Sequence, residues 1–227
     1  MTSPLLETLE NARDALLGQR HAAGHWEGEL STSALSTATS IVALATVDAA
    51  AHRAAVARAC EWLVAHRNAD GGWGDTTKSF SNISTTLLCW SALTRFGHAG
   101  SGATVKAAEG WIRDYVGSLS PSLIAETVKA RYGKDRTFSV PILMLCAICG
   151  TLGPTGWRHV LPLPFQLAVF PRSWFAILRL PVVSYALPAL IAIGYARYRK
   201  GNGQGHRHRK PPFFWPRLSA LLTSIQP

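Results

Sequence analysis

Acid almost disappears from this chain after residue 130. Residues 131–227 hold one carboxylate, Asp135, against 13 Lys and Arg, a net charge of +12, while residues 1–130 hold 12 acids and 10 bases, a net of −2. A field of one sign favours an anionic partner: a membrane surface, a nucleic acid, or an acidic part of the same protein. Cysteine is sparse too. Cys60, Cys89, Cys146 and Cys149 all fall in apolar helical patterns, which excludes a disulfide framework and points to a reducing cytoplasm. Cys146 and Cys149 form a C-x-x-C inside a nearly continuous apolar run, with no second pair or placed histidine; packing, not a metal site, is expected there. No basic, apolar and cleavage-site succession opens the chain, so no secretory leader is expected. Also missing are the long apolar runs of a polytopic membrane protein and the alternating Val/Ile/Thr runs of a sheet.

A repeat of 47 to 49 residues is the strongest positive feature. Ala12-Arg13-Asp14-Ala15-Leu16, followed by Arg20, Gly24 and Trp26, recurs as Ala59-Cys60-Glu61-Trp62-Leu63, followed by Arg67, Gly71 and Trp73. Each unit runs on into a hydroxyl-led apolar segment, Ser36-Thr37-Ala38-Thr39 in one and Ser84-Thr85-Thr86-Leu87 in the other, whose hydroxyls suit helix capping. A degenerate third start stands at Ala108-Glu109-Gly110-Trp111-Ile112. The unit reads as helix, Gly-Trp turn, helix. Such a pair cannot bury its own apolar face, so pairs must stack, and the expected fold is all-α: a solenoid or a closed α/α barrel (toroid).

The character changes at Arg131-Tyr132-Gly133-Lys134-Asp135-Arg136, which divides the chain into α/α repeats over 1–130 and a proline-interrupted, apolar and basic helical region over 131–227. Residues 180–196 form an apolar run broken by Pro181 and Pro188. Seventeen helical residues would span roughly 25 Å, short of the roughly 30 Å hydrocarbon core, so a spanning helix is disfavoured. Histidines at 206 and 208 alternate with arginines and read as a solvated basic loop, with a short helix expected over 216–224.

Asn68-Ala69-Asp70-Gly71-Gly72-Trp73-Gly74-Asp75 resembles the QW repeat of squalene and oxidosqualene cyclases. The segments His25-Trp26-Glu27-Gly28-Glu29-Leu30, Ser81-Asn82-Ile83-Ser84-Thr85-Thr86, 132–141, 157–165 and 180–188 look like the amino-terminal region of squalene-hopene cyclase-like proteins. The glutamine that names the motif is replaced by Arg20 and Arg67. Arginine still covers a tryptophan face and bonds helix-end carbonyls, but accepts no hydrogen bond.

The resemblance implies a class II triterpene cyclase of the hopanoid-forming type, an isomerase without cofactor, acting on an isoprenoid hydrocarbon such as squalene at the cytoplasmic face of the inner membrane. In that family a D-x-D-D cluster protonates the alkene, and no D-x-D-D occurs in this sequence. The expectation is therefore an amino-terminal half without a catalytic residue of its own, inactive alone, with a carboxy-terminal half supplying the acid. Trp157 matches a cavity tryptophan of the family, and Gln226-Pro227 a Gln-Pro pair near the deprotonation end, although core packing is an equal reading for Trp157 and an exposed end the better one for Gln226. Trp62, Trp73, Trp90 and Trp111 are expected to be packing residues. Arg20, Gly24, Trp26, Arg67, Gly71 and Trp73 brace the repeats. Membrane contact falls to Leu180, Val182, Val183 and Leu187, with Arg197, Arg199 and Lys200 at the headgroups. A noncatalytic prenyl-chain or lipid-binding barrel remains the alternative; a protein prenyltransferase β-like subunit lacks its zinc ligands here, and no nucleic-acid reading motif accompanies the basic residues.

Overall fold

The computed structural model describes residues 3–28, 31–133, 136–163, 165–166, 187–200, 216 and 219–220. Among them are eight α-helices and no strand: α1 Pro4–Gly18, α2 Ala34–Asp48, α3 Arg53–Ala65, α4 Ile83–Phe96, α5 Gly102–Val116, α6 Pro121–Tyr132, α7 Arg136–Cys149 and α8 Leu187–Lys200. The all-α expectation holds. Two compact units result, residues 1–32 with α1 and its turn, and residues 33–227 with the remaining helices.

Local chemistry sets the helix ends. Both α1 and α6 start at Ser-Pro, where proline supplies a helical φ at a position whose N–H needs no partner. The caps of α2 and α4 correct the sequence reading: they are Ser33 and Asn82, whose side chains accept from Ser36 N and Thr85 N, a turn or less ahead of the expected Ser36 and Ser84. The hydroxyls following these caps turn back on the fold instead. Thr37 and Thr39 donate to carbonyls of the preceding turn, and those of α4 make tertiary bonds.

Helix α4 is the centre of the second unit. It packs against α2, α3, α5 and α7, and every residue from Ile83 to Leu93 is buried. Its four buried hydroxyls are all bonded: Ser84 Oγ to Tyr132 Oη (2.7 Å), Thr85 Oγ1 to Asp75 (2.5 Å), Thr86 Oγ1 to the Trp73 backbone and Ser91 Oγ to Thr151 Oγ1 (2.7 Å). Such bonds offset the cost of burying hydroxyls in a helix that is buried all round, whereas the indole Nε1 of Trp90 in the same helix is buried without a partner among the described residues. The flanking helices present stripes: Ala34, Ala38, Ile41 and Val42 on α2, and Ile124, Ala125 and Val128 on α6, both at helical spacing. Helices α6 and α7, on either side of the composition change at residue 131, pack on each other.

Candidate functional site

The two Gly-Trp turns have the same wiring. In the first, Gly24 N donates to His21 O (2.8 Å) and His21 N to His25 O (2.8 Å); in the second, Gly71 N donates to Asn68 O (3.1 Å) and Asn68 N to Gly72 O (2.9 Å). Gly24 and Gly71 both have positive φ, 89° and 100°, a region closed to most side chains. Each indole then reaches back ten residues to a carbonyl at its helix end: Trp26 Nε1 to Leu16 O at 2.6 Å and Trp73 Nε1 to Leu63 O at 3.0 Å. The Trp73 bond reaches a carbonyl near the end of α3, where acceptors are left open, and Leu16 O accepts from Gln19 N (3.2 Å) as well as from Trp26.

The arginines follow the pattern less closely. Arg20 Nε donates to Gly24 O (3.0 Å) with its guanidinium 5.5 Å from the Trp26 ring centre. Arg67 donates from Nη1 to Asn68 O at 3.3 Å, and its Nε is buried without a partner among the described residues. Burial separates the turns as well, since Trp26 is 46% exposed and Trp73 is 1% exposed.

The second turn carries two aspartates that the first lacks; Ala23 and Gly28 stand at the corresponding places. Asp70 accepts from Gly72 N (3.0 Å), Ser81 Oγ (2.7 Å) and Trp111 Nε1 (3.1 Å), joining the turn to α5. Desolvation pushes its carboxyl up, but those hydrogen bonds outweigh it and hold it below the usual carboxylate range. Asp75 is lowered by hydrogen bonds from Thr85 and Asn82. Sequence reading did not single out this role of Asp70. Its signal was the mismatch with Ala23 between otherwise matched turns.

Trp62 and Trp111 pack partly buried against the core, and Trp73 and Trp90 lie within it. Trp62 stacks on His66 and Trp111 on Tyr115, each four residues on. Thus Trp111 repeats Trp62 rather than Trp73. Trp157, in the short 3-10 turn Gly156–Arg158, is half-buried against the same core. Burial drives the C-x-x-C thiols up, Cys146 to about 11 and Cys149 to about 12, and keeps them protonated packing groups. His21, His25 and Glu27 bring ligand-type atoms within 4.8 Å of one another; all are exposed, and His25 Nε2 already sits 3.2 Å from Glu27 Oε1.

In α8, Ile191 and Ile193 are buried in the protein, Arg197 Nε donates to Val160 O (3.0 Å), and Arg199 lies 6.0 Å from the Tyr195 ring centre. Lys200 is exposed at its end. Leu187 begins the helix, and its side chain, like Leu180, Val182, Val183, Gln226 and Pro227, lies outside the described residues. No helix among the described residues is long and apolar enough to cross a membrane. Two open clefts, of about 190 Å3 by Ala45, Val56 and Phe96 and about 180 Å3 by Lys129 and Arg158, are each too small to enclose a squalene-length hydrocarbon.

The family model for the squalene-hopene cyclase N-terminal domain matches residues 9–193. The chain belongs to that family. No curated protein and no solved structure matches it. The span shared with the squalene-hopene cyclase N-terminal domain contains both Gly-Trp turns, both aspartates and Trp157, and ends within α8. Arg197, Arg199, Lys200, Gln226 and Pro227 lie beyond it.

Proposed function

We propose that this chain forms part of the cavity wall of a squalene or polyprenyl cyclase-like protein of triterpenoid, hopanoid-type biosynthesis, and that it does not supply the acid that starts cyclisation. The family match over residues 9–193 carries the reading, and a squalene-like hydrocarbon is the ligand that this family implies. A polyene cation is quenched by water and stabilised by aromatic faces, a role that suits Trp157. Initiation demands the opposite of what the second turn offers. Alkene protonation needs a carboxylic acid kept protonated, whereas Asp70 and Asp75 accept several hydrogen bonds and are held ionised. The acid would come from a D-x-D-D segment, which this sequence does not contain.

The substrate class is dissolved in lipid, so we place the chain on the cytoplasmic leaflet of the inner membrane, peripheral or monotopic. The basic 131–227 region supports this through attraction to anionic headgroups, with Lys200 and Arg199 at the end of α8. The apolar contact falls to Leu180, Val182, Val183 and Leu187 rather than to Ile191 and Ile193, which are buried in the protein.

Incubating the purified chain with squalene, followed by gas chromatography of the extract, tests the reading. Recovery of squalene alone is expected. A cyclic triterpene would overturn it and direct mutagenesis to Asp70, Asp75 and Glu27.

A further inference from the structure

Two histidines and a glutamate meet in the first Gly-Trp turn. Ligand-type atoms of His21, His25 and Glu27, one from each residue, lie within 4.8 Å of one another. The backbone ties the two histidines together, since His21 N donates to His25 O (2.8 Å) and Gly24 N returns to His21 O (2.8 Å). Gly24, at a φ of 89°, makes that exchange possible, and Trp26, between His25 and Glu27, is fixed by its bond to Leu16 O. None of the three side chains is needed to build the turn. In the second repeat Asn68, Gly72 and Gly74 stand at their places, and the turn there has the same backbone bonds, the same positive φ and the same indole bond. The donor set is therefore an addition to the turn and not part of its construction.

His25 Nε2 and Glu27 Oε1 are 3.2 Å apart. Two ligands held at about 2.0–2.2 Å on a tetrahedral zinc ion stand about 3.3 Å from each other, so this pair already spans one edge of a coordination tetrahedron. As a surface ion pair it contributes little, with both side chains exposed. His21 Nδ1 accepts from Ala23 N at 3.2 Å; ligation by that ring gives up the bond and leaves an exposed N–H that water satisfies. The Arg20 charge opposes a cation, but its guanidinium is turned onto the Trp26 ring and the Gly24 carbonyl, and the Glu27 carboxylate compensates it. We propose that His21, His25 and Glu27 bind a divalent first-row metal ion, zinc foremost, with water completing its coordination. Two imidazoles with one carboxylate select zinc, copper or nickel over magnesium and calcium, which take oxygen ligands. The ion clips the chain leaving α1 to the segment beyond Trp26. The unit of residues 1–32 buries none of its described residues, and a short piece of chain without a core is where a metal clip adds order. The site is separate from the cavity-wall reading, which involves no metal.

Calorimetric titration of the chelator-treated full chain with zinc chloride tests it, and saturable binding is expected. His21→Asn, His25→Gln and Glu27→Gln should each weaken it about tenfold or more, since losing even an outer partner of a metal ligand costs that much. Far-UV circular dichroism should stay unchanged in all three, because the second turn folds with asparagine at the place of His21 and with no side chain at the other two. A roughly hundredfold excess of magnesium should leave zinc bound. The double variant His206→Gln/His208→Gln separates this site from the two histidines of the basic segment, and its affinity for zinc at the turn should equal that of the unmodified chain. No saturable zinc binding, unchanged affinity in folded His21→Asn, His25→Gln and Glu27→Gln, loss of binding in the His206→Gln/His208→Gln chain, or displacement of zinc by magnesium would each overturn the proposal.

Discussion

Gly71→Ala and Gly117→Ala should have unequal costs although both glycines hold a positive φ, 100° and 87°. Forcing alanine into that region costs about 1–2 kcal/mol at either position. At Gly117 a Cβ meets nothing within 4 Å, so the backbone term stands alone. At Gly71 the Cβ would lie 2.7 Å from the carbonyl oxygen and 3.2 Å from the carbonyl carbon of Ala107. Those atoms belong to the backbone of α5 and cannot rotate away, so relief requires moving a helix whose Ala108 and Ile112 are in the core. Overpacking of this kind adds about 1–3 kcal/mol. Both sites lie in the unit formed by residues 33–227, so one unfolding transition reports on both. Thermal unfolding followed by circular dichroism should place Gly71→Ala several degrees below Gly117→Ala, at about 2–4 °C per kcal/mol for a unit of this size. Equal shifts would refute the argument that the second turn is a glycine turn because α5 lies against it.

The two indole bonds make a parallel test: Trp73→Phe should destabilise its unit by about 1–3 kcal/mol, since Leu63 O is left in a buried setting, whereas at half-exposed Trp26 water replaces the donor and Trp26→Phe should cost below about 1 kcal/mol; urea unfolding of each variant measures this. Asp70 and Asp75 have folded values below the ordinary 3.8, so their stabilisation is complete above that value and is lost as the pH falls through the folded ones; Asp70→Asn and Asp75→Asn should flatten the acid limb of the stability curve and leave its slope near neutrality unchanged.

Much of the second unit was legible because its signals are local. Helical spacing of Ala34, Ala38, Ile41 and Val42 gives an apolar stripe whatever packs on it, and Ser-Pro at 3–4 and 120–121 starts a helix from proline geometry alone. The caps were misread for a local reason as well. Ser36 and Ser84 are good capping residues, but Ser33 and Asn82 precede them and close the helix first. The cleft at Lys129 and His159 was not legible, because thirty residues separate the two and only the packing of α6 against α7 and the following loop brings them into one opening.

The sequence by itself determined the repeating turn. Arg, Gly and Trp at matched spacing place each indole on the carbonyl ten residues back, and a bond within a short segment forms identically in both units. What the sequence left open is what each turn does. Whether Trp73 is buried and Trp26 half-exposed, whether Asp70 holds Trp111 across forty-one residues, and whether Gly71 must stay glycine all depend on which helix comes to lie there. Burial and close approach are properties of surfaces brought together by the whole chain, and segments that share a turn pattern acquire them only through their neighbours.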